Sequence, residues 1–238
     1  MSLFIGGVAA VLLELAEPSV RTGVWEHSSF RQDPFGRLHR TGFAAMVTVY
    51  APRAQAEAMI AKVVRMHDKV RGHTSEGQSY YANDPRLLNW VQATAVFGFT
   101  EAYDQWVQAL PRSAKDQAFQ EAQTSAQLYG ATGLPTSWKG WEDMLRSQSP
   151  LLQAHPIMAE FLSIMCEADI LPRPLRWVQK LWVKAAIDIT PQPVRDMPQL
   201  QAWHMHWWER AIVKVMARAA YWLPLPQLPP ALAKNRMQ

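Results

Sequence analysis

Prolines divide this chain of 238 residues into segments that each carry a helical pattern of apolar residues. Between the 17 prolines, apolar residues recur three and four positions apart, which is the spacing of one helix face. No segment shows the apolar–polar alternation and turn dipeptides of paired strands, and no repeat period is visible. Because the breaks are evenly spaced, the sequence predicts a single all-α domain over residues 1–238. It should contain roughly eight to ten helices packed around a buried centre that is large enough to enclose a ligand.

The boundaries of several predicted helices carry capping signals. Asp84 can accept hydrogen bonds from free N–H groups while Pro85 takes the first helical position. Ser113 followed by Asp116 is a weaker relative of a capping box, and Gly130 suits the left-handed position that ends a helix. The predicted helices cover residues 3–15, 19–30, 36–50, 52–72, 85–110, 113–129, 138–145, 157–168, 175–189 and 199–222.

Composition excludes several classes of protein. At 49% hydrophobic and 18% charged residues, the chain is neither disordered nor low in complexity. The single cysteine, Cys166, excludes an internal disulfide and any cysteine-clustered metal or iron–sulfur site. The net charge of +4 comes from scattered lysines and arginines, which indicates a solvated surface and no nucleic-acid partner.

The apolar run at residues 3–15 is too short to span a bilayer, which needs about 20 apolar residues. It also lacks a basic leader and a small-residue cleavage site, so it does not resemble a signal peptide. The sequence therefore predicts a cytoplasmic protein. Peripheral membrane contact stays open, as does the oligomeric state.

The predicted helix over residues 52–72 carries a histidine on its apolar face. Gly72 suits the left-handed position after the last turn of this helix. The histidine belongs to a row of residues three or four positions apart, namely Ala56, Ile60, Val63, His67 and Val70. His67 is therefore predicted to point inward, either as a hydrogen-bonded core residue or as a ligand in a site. The pattern alone leaves both interpretations open.

Other candidate sites are weaker. His204 and His206 lie two positions apart on a predicted helix and so face different ways, and His206 with Glu209 would lack a third metal ligand. No phosphate loop, dinucleotide fingerprint or serine-hydrolase elbow is present. The residues alone thus indicate a helical protein with an inward histidine.

Four segments, in this order and spacing, together resemble one known family, the haem oxygenases named for MpaB and the latex-clearing rubber oxygenases. The match is close over about the first 110 residues. The segments are Leu-Leu-Glu-Leu-Ala-Glu-Pro at 12–18 with Gly23-Val24 and His27-Ser28, Asp-Pro-Phe-Gly-Arg-Leu-His-Arg-Thr at 33–41, Met-His-Asp-Lys-Val-Arg-Gly at 66–72, and Tyr-Ala-Asn-Asp-Pro at 81–85 with Leu87-Leu88, Trp90-Val91 and Ala93-Thr94.

The resemblance implies a helical fold that encloses haem b, with His67 as axial ligand to the iron and Arg37 and Thr41 in the haem pocket. It also implies that Arg37 and Thr41 act on dioxygen or on a haem propionate, and that the substrate is a small or medium apolar molecule. An apolar cavity would be lined by some of four aromatic residues, Trp25, Phe30, Trp90 and Phe97.

Three positions depart from the family pattern. Relatives commonly carry histidine where this chain has Glu17 and Gln92, so a second pocket histidine is missing. Rubber oxygenases carry a lysine able to approach the iron where this chain has Arg40, whose guanidinium cannot ligate. Two alternatives to an oxygenase follow: a non-catalytic carrier of haem or of an apolar ligand, and a haem-free protein whose tryptophan-rich C-terminal helix docks a partner or a membrane.

Overall fold

The computed structural model describes residues 1–28, 30, 32–223 and 229–236. Over these residues the chain is all-α apart from one small hairpin, as the sequence predicts. The helices are α1 (Ser2–Ala16), α2 (Pro18–His27), α3 (Pro34–Tyr50), α4 (Arg53–His67), α5 (Pro85–Trp106), α6 (Arg112–Tyr129), α7 (Trp138–Gln148), α8 (Pro156–Glu167), α9 (Arg176–Ile189), α10 (Gln192–Arg195), α11 (Pro198–Gln201), α12 (Trp207–Trp222) and α13 (Pro229–Arg236). The strands are β1 (Arg71–His73) and β2 (Ser79–Tyr81).

The core forms around α1, which packs along α5 and against α9. The two central helices touch through glycine, since a Cβ built on Gly98 would lie 2.4 Å from the carbonyl oxygen of Gly6. A Cβ built on Gly6 would lie 2.7 Å from the carbonyl oxygen of Gly98. Because neither position has room for a side chain, the two backbones approach more closely than larger residues would permit. Most of α1 is buried by this packing.

Aromatic side chains of α5 and α7 fill the next part of the core. Trp90 stacks on Trp141 with ring centroids 5.7 Å apart, and Phe97 stacks on the same tryptophan at 4.9 Å. Trp90 also donates its indole N–H to the carbonyl of Leu13 at 3.3 Å. Such offset ring pairs stabilise a core beyond the apolar area that they bury. Trp90 and Phe97 are therefore part of the core that fixes α5 to α7.

Helices α3 and α4 form a hairpin at the periphery of this core. Among the side chains described in α3 none is buried, and in α4 only Ile60 is. The two helices pack on each other, and α4 also contacts α6. This α3–α4 hairpin carries Arg37, Thr41 and His67, so all three predicted site residues lie on its two helices.

Several sequence predictions are corrected by the structure. The helix with His67 ends at that residue, and Gly72 lies in β1, where it pairs with Tyr80 of β2. Three-residue strands are too short to show the alternation that predicts a sheet. Ser113 and Asp116 do not form a capping box; α6 begins after Pro111, and Asp116 accepts a hydrogen bond from the Trp138 N–H at 2.7 Å.

The predicted helix over residues 199–222 is interrupted, so the two histidines are not two positions apart on one helix. His204 precedes α12, and His206 is its N-cap residue. The His206 ring accepts from the Glu209 N–H while the Glu209 carboxylate accepts from the His206 N–H, which is a capping box. Glu209 also pairs with Lys184 at 2.6 Å. These contacts give His206 and Glu209 a structural role.

Within the part of the chain that the structure describes, no single helix is long and apolar enough to cross a membrane. Only α1 and α2 taken together, bent by 109° at their junction, reach the required length and composition.

Candidate functional site

Helix α3 begins at Asp33, whose carboxylate accepts a hydrogen bond from the Gly36 N–H at 2.8 Å. Asp33 also pairs with Arg40 at 3.1 Å. One helical turn separates Arg37 from Thr41, and the guanidinium of Arg37 donates to the Thr41 hydroxyl at 2.8 Å. The predicted common face of Arg37 and Thr41 is therefore present in the structure. Arg40 is held on the outside of the helix by its exposed ion pair.

The Arg37 guanidinium lies beside an aromatic ring and interacts electrostatically with the Glu14 carboxylate. Its central carbon is 5.4 Å from the centroid of the Phe30 ring, a distance that permits a cation–π interaction. Burial lowers the pKa of Arg37, and the nearby Glu14 carboxylate opposes that shift. Since an arginine keeps its charge under such conditions, a half-buried cation faces Glu14 and Phe30 at this point.

Glu14 is the second charged group of the site and comes from the core helix α1. Burial raises the pKa of Glu14 to about 7, and Arg37 and a hydrogen bond from Thr94 act in the opposite direction. The Thr94 hydroxyl lies 3.5 Å from a carboxylate oxygen of Glu14. Near neutral pH this carboxyl therefore exists in both protonation states, which is the condition for a group that holds and releases a proton.

His67 is the last residue of α4 and is half-buried. Burial lowers the pKa of its imidazole; Asn83 and Asp68 raise the pKa, whereas Arg37 adds to the lowering. The ring is therefore neutral at pH 7, the form of histidine that binds metals. Arg37 therefore has an electrostatic effect on this ring, and the helices that carry the two residues, α3 and α4, pack on each other.

A hydrogen-bonded network holds the chain beside His67. Asn83 donates its amide N–H groups to the Val64 carbonyl at 3.1 Å and to the Asp68 carboxylate at 2.8 Å. Tyr81 donates its hydroxyl to the same carboxylate at 2.8 Å. The end of α4 is thus tied to the residues that precede α5.

Two buried atoms of this network lack hydrogen-bond partners among the described residues. They are Nδ1 of His67 and Oδ1 of Asn83. The ring nitrogen Nδ1 can carry a hydrogen, and the amide oxygen Oδ1 is an acceptor. Asn83 is close enough to the His67 ring to affect its pKa. The two atoms are complementary as donor and acceptor.

Glu17, which departs from the predicted family pattern, has a structural role. Its carboxylate accepts from the Val20 N–H at 2.7 Å and so caps α2. The other carboxylate oxygen pairs with Arg86 of α5 at 3.2 Å. Gln92, the other departure, lies half-buried on α5. The Glu17 contacts join α1, α2 and α5 behind the Glu14 side chain.

Of the four aromatic residues proposed to line a cavity, Phe30 contacts a predicted site residue, Arg37. Trp25 stacks on Phe30 with centroids 5.6 Å apart, and Phe30 meets Phe161 of α8 at 5.5 Å. Trp90 and Phe97 belong to the aromatic core described above. Among the described residues, no group of three or more His, Cys, Asp or Glu side chains could hold a metal ion.

Arg37 of α3, His67 of α4 and Glu14 of α1 all lie in the part of the chain that matches a known family. A sequence model described as ER-bound oxygenase mpaB/B'/rubber oxygenase, catalytic domain, matches residues 1–222. The chain belongs to this family. The resemblance seen in the sequence is thereby confirmed, and the family assigns an oxygenase catalytic domain to the chain.

Two similar proteins from mycobacteria have no described activity. An uncharacterized protein of Mycobacterium bovis is 27% identical over 176 residues, which cover 71% of this chain and 69% of that protein. An uncharacterized protein of Mycobacterium tuberculosis matches to the same extent. No solved structure gives a significant match to the chain.

Sequence reasoning assigned no role to Glu14, Thr94 or Asn83, although all three lie in the segments that resemble the mpaB/rubber oxygenase family. The signal for Glu14 was a charged residue inside an otherwise apolar helix. No role was assigned to Asn83 because its neighbours Asp84 and Pro85 already account for the start of α5. Asp84 accepts a hydrogen bond from the Arg86 N–H at 2.8 Å. These residues belong to the candidate site because they interact with segments that lie far away in the sequence.

Proposed function

We propose that this chain is a haem b-dependent oxygenase that acts with dioxygen on a small or medium apolar substrate, with His67 as the axial ligand to the iron. One observation carries the proposal: in a member of an oxygenase family, a neutral histidine, whose buried Nδ1 has no partner among the described residues, is under the electrostatic influence of a half-buried arginine. The oxygenase class follows from the family, while haem b and the residue roles are our inference.

The donor set of the site fits haem. A bare metal ion needs three or four protein ligands, whereas a porphyrin supplies four nitrogen ligands itself and needs a single axial side chain. His67 provides that side chain in its neutral form. Its other nitrogen needs an acceptor to fix the ring and tautomer, and Asn83 Oδ1 is a buried acceptor beside it.

Arg37 and Thr41 would bind and orient charged oxygen atoms at the haem. A guanidinium forms strong hydrogen bonds with carboxylates, so Arg37 suits a haem propionate or a developing negative charge on oxygen. Thr41 accepts one hydrogen bond from Arg37, and its hydroxyl can also donate a hydrogen bond to the same group. Bound haem would supply the iron at which dioxygen reacts.

Glu14 would hold or release a proton beside Arg37. A carboxyl with a pKa of about 7 is suited to general acid–base work at neutral pH. The Thr94 hydroxyl lies 3.5 Å from this carboxyl and 2.9 Å from the Val91 carbonyl, so it is close enough to exchange a hydrogen bond with Glu14. The apolar residues of α3 at positions 44–47, which are half-buried, would help exclude water from the substrate.

The test is the optical spectrum of the protein produced with haem available. We expect a Soret band in the wild type, its loss or displacement in His67→Ala, and its retention in His39→Ala, which removes an exposed histidine from the same α3–α4 hairpin. Far-UV circular dichroism of each variant checks that the fold is intact. A wild type without a Soret band, or a His67→Ala variant with an unchanged one, would refute the assignment.

The second candidate function is a carrier that binds haem or an apolar ligand without turnover. The observation in its favour is that Glu17, where relatives have histidine, is fully engaged in capping α2 and pairing with Arg86. The carrier predicts a Soret band but no oxygen consumption with any alkene or terpenoid tested. Oxygen uptake that depends on His67 would exclude it.

A further inference from the structure

Helix α12 has one face in the core and the opposite face in solvent. Its buried residues recur every four positions and are Glu209, Val213 and Ala217. On the opposite side, Trp207 is 81% exposed, Val215 is 68% exposed and Trp222 is 80% exposed. Ala211 and Ala219 lie in the same row. Exposing two tryptophans and a valine to water is unfavourable, so this apolar row calls for a covering surface.

Cationic residues run beside the apolar row. Arg210, Lys214 and Arg218 follow one another at intervals of four and are all exposed. Arg210 is paired with Asp188 of α9. In the described part of the chain, Lys214 and Arg218 form no ion pair. Two free cations therefore flank the exposed tryptophans.

The exposed side of α12 carries no acidic residue. Its single carboxylate, Glu209, is buried and is bound by Lys184 at 2.6 Å. The charge on the exposed side is therefore entirely positive. A surface that combines tryptophans with cations of one sign is complementary to something both apolar and anionic.

We propose that the exposed face of α12 binds the surface of an anionic lipid bilayer, with the helix lying in the plane of the interface. The helix is 16 residues long, so Trp207 and Trp222 mark the two ends of a strip about 22 Å in length. Tryptophan prefers the headgroup boundary, where its ring is apolar and its N–H stays hydrated. Lys214 and Arg218 would meet the lipid phosphates, as in interfacial helices with a basic polar face.

A bilayer explains the arrangement better than a protein partner does. Protein interfaces concentrate their binding energy in a central cluster of aromatic residues. Here the two most exposed tryptophans lie at opposite ends of the helix, with alanines and a valine between them. A shallow strip of this form matches the boundary layer of a membrane, which is continuous along the helix.

The experiment is flotation of the full chain with vesicles of phosphatidylcholine alone or of phosphatidylcholine and phosphatidylglycerol in equal parts. We expect binding to the anionic vesicles, weak binding to the neutral ones, and release at high salt because the lipid charge is then screened. In Lys214→Glu/Arg218→Glu and in Trp207→Ser/Trp222→Ser, affinity for the anionic vesicles should fall at least roughly tenfold.

Two control variants test whether the effects are specific to the exposed face of α12. Lys139→Glu/Arg146→Glu makes the same change in charge on exposed residues of α7, and Trp177→Ser removes an exposed tryptophan of α9. Both controls should bind like the wild type. Equal loss in the charge control, or equal binding of wild type to both vesicle types, would overturn the proposal. So would a dimer in solution, measured by sedimentation equilibrium, that Trp207→Ser/Trp222→Ser converts to monomer without any vesicle binding in the wild type.

Discussion

The unpaired Nδ1 of His67 and Oδ1 of Asn83 give the proposed site a testable feature at the level of single atoms. Asn83 uses its N–H groups on Val64 and Asp68, which leaves its carbonyl oxygen as the available acceptor for the ring. An acceptor on the far nitrogen of an axial histidine increases the basicity of the ligating nitrogen. If His67 binds haem iron as proposed, Asn83 would act as a positioning residue through the His67 ring.

We expect Asn83→Leu to bind haem roughly 10- to 100-fold more weakly and to raise the reduction potential of the bound haem. The reason is that a less basic imidazole stabilises ferric iron less well. Asn89→Leu is the control, because Asn89 lies on α5, six residues after Asn83, and accepts a structural hydrogen bond from the Gly133 N–H at 2.8 Å. A redox titration monitored by absorbance measures the reduction potential of bound haem in the wild type and in both variants. Equal potentials in Asn83→Leu and the wild type would contradict this role.

Glu14 should make the stability of the haem-free protein depend on pH. Its pKa in the folded state is raised to about 7 from an ordinary value of 4.5, so the folded state binds more protons than the unfolded state between these values. The free energy of unfolding therefore falls as pH rises from about 4.5 to 7, by up to roughly 3 kcal/mol, and this loss is complete above 7.

Glu14→Gln should remove that dependence and leave the protein more stable than the wild type at about pH 8. Urea unfolding at about pH 5 and pH 8 measures the free energy of unfolding of each protein at the two pH values. Glu57→Gln, which changes an exposed carboxylate of α4, should keep the wild-type slope. If Glu14→Gln retained the full slope, the titrating group would lie elsewhere.

At the scale of the elements, the α3–α4 hairpin differs from the rest of the fold. In the described residues it contributes a single buried side chain, Ile60, whereas α1 alone contributes nine buried residues. Segments with little buried apolar area open at lower free energy than the core. The predicted iron ligand and its arginine neighbour thus lie on the less stable part of the molecule.

We expect amide hydrogen exchange in the haem-free protein to be faster in α3 and α4 than in α1 and α5. Haem should slow exchange in the hairpin specifically, because a ligand that binds only the closed form stabilises it. Exchange followed by mass spectrometry provides the measurement, with His67→Ala plus haem as the control. Uniform protection across all four helices would show that the hairpin is not a separate unit.

The helices themselves follow from sequence more readily than the site does. The periodic apolar row and Asp84-Pro85 locate α5, and Gly130 ends α6 in the left-handed conformation, with a φ of 94°. By contrast, β1 and β2 are too short for a pattern to detect. The electrostatic interaction of Glu14 with Arg37 joins distant segments, which periodicity within one segment cannot encode.

At the scale of the whole molecule, the glycine contact between α1 and α5 sets the spacing of the core. We expect Gly98→Ala to destabilise the protein by about 1–3 kcal/mol, because its Cβ would lie 2.4 Å from a backbone oxygen that cannot rotate away. The midpoint of thermal unfolding should fall by roughly 2–4 °C for each kcal/mol.

Gly7→Ala is the matched control, because Gly7 directly follows Gly6 on α1 and the substitution adds the same methyl group as Gly98→Ala. The nearest atom to its Cβ is 4.0 Å away in the Phe99 ring. Alanine also favours helix over glycine by up to about 1 kcal/mol, so Gly7→Ala should be neutral or stabilising. If both variants lost the same stability, the contact between Gly6 and Gly98 would not set the spacing of the core.

The unequal burial on the two sides of the site has a consequence for how such a protein diversifies. Glu14 and Thr94 belong to helices whose packing admits almost no change in side-chain volume, whereas α3 and α4 have little packing to lose. A library randomised at half-buried positions 44–47 should yield many folded variants, while one randomised on α1 should yield few. In the proposed oxygenase site, new substrate preferences would therefore arise on the wall formed by α3 and α4, while the wall that carries Glu14 would keep the proton-holding group proposed there.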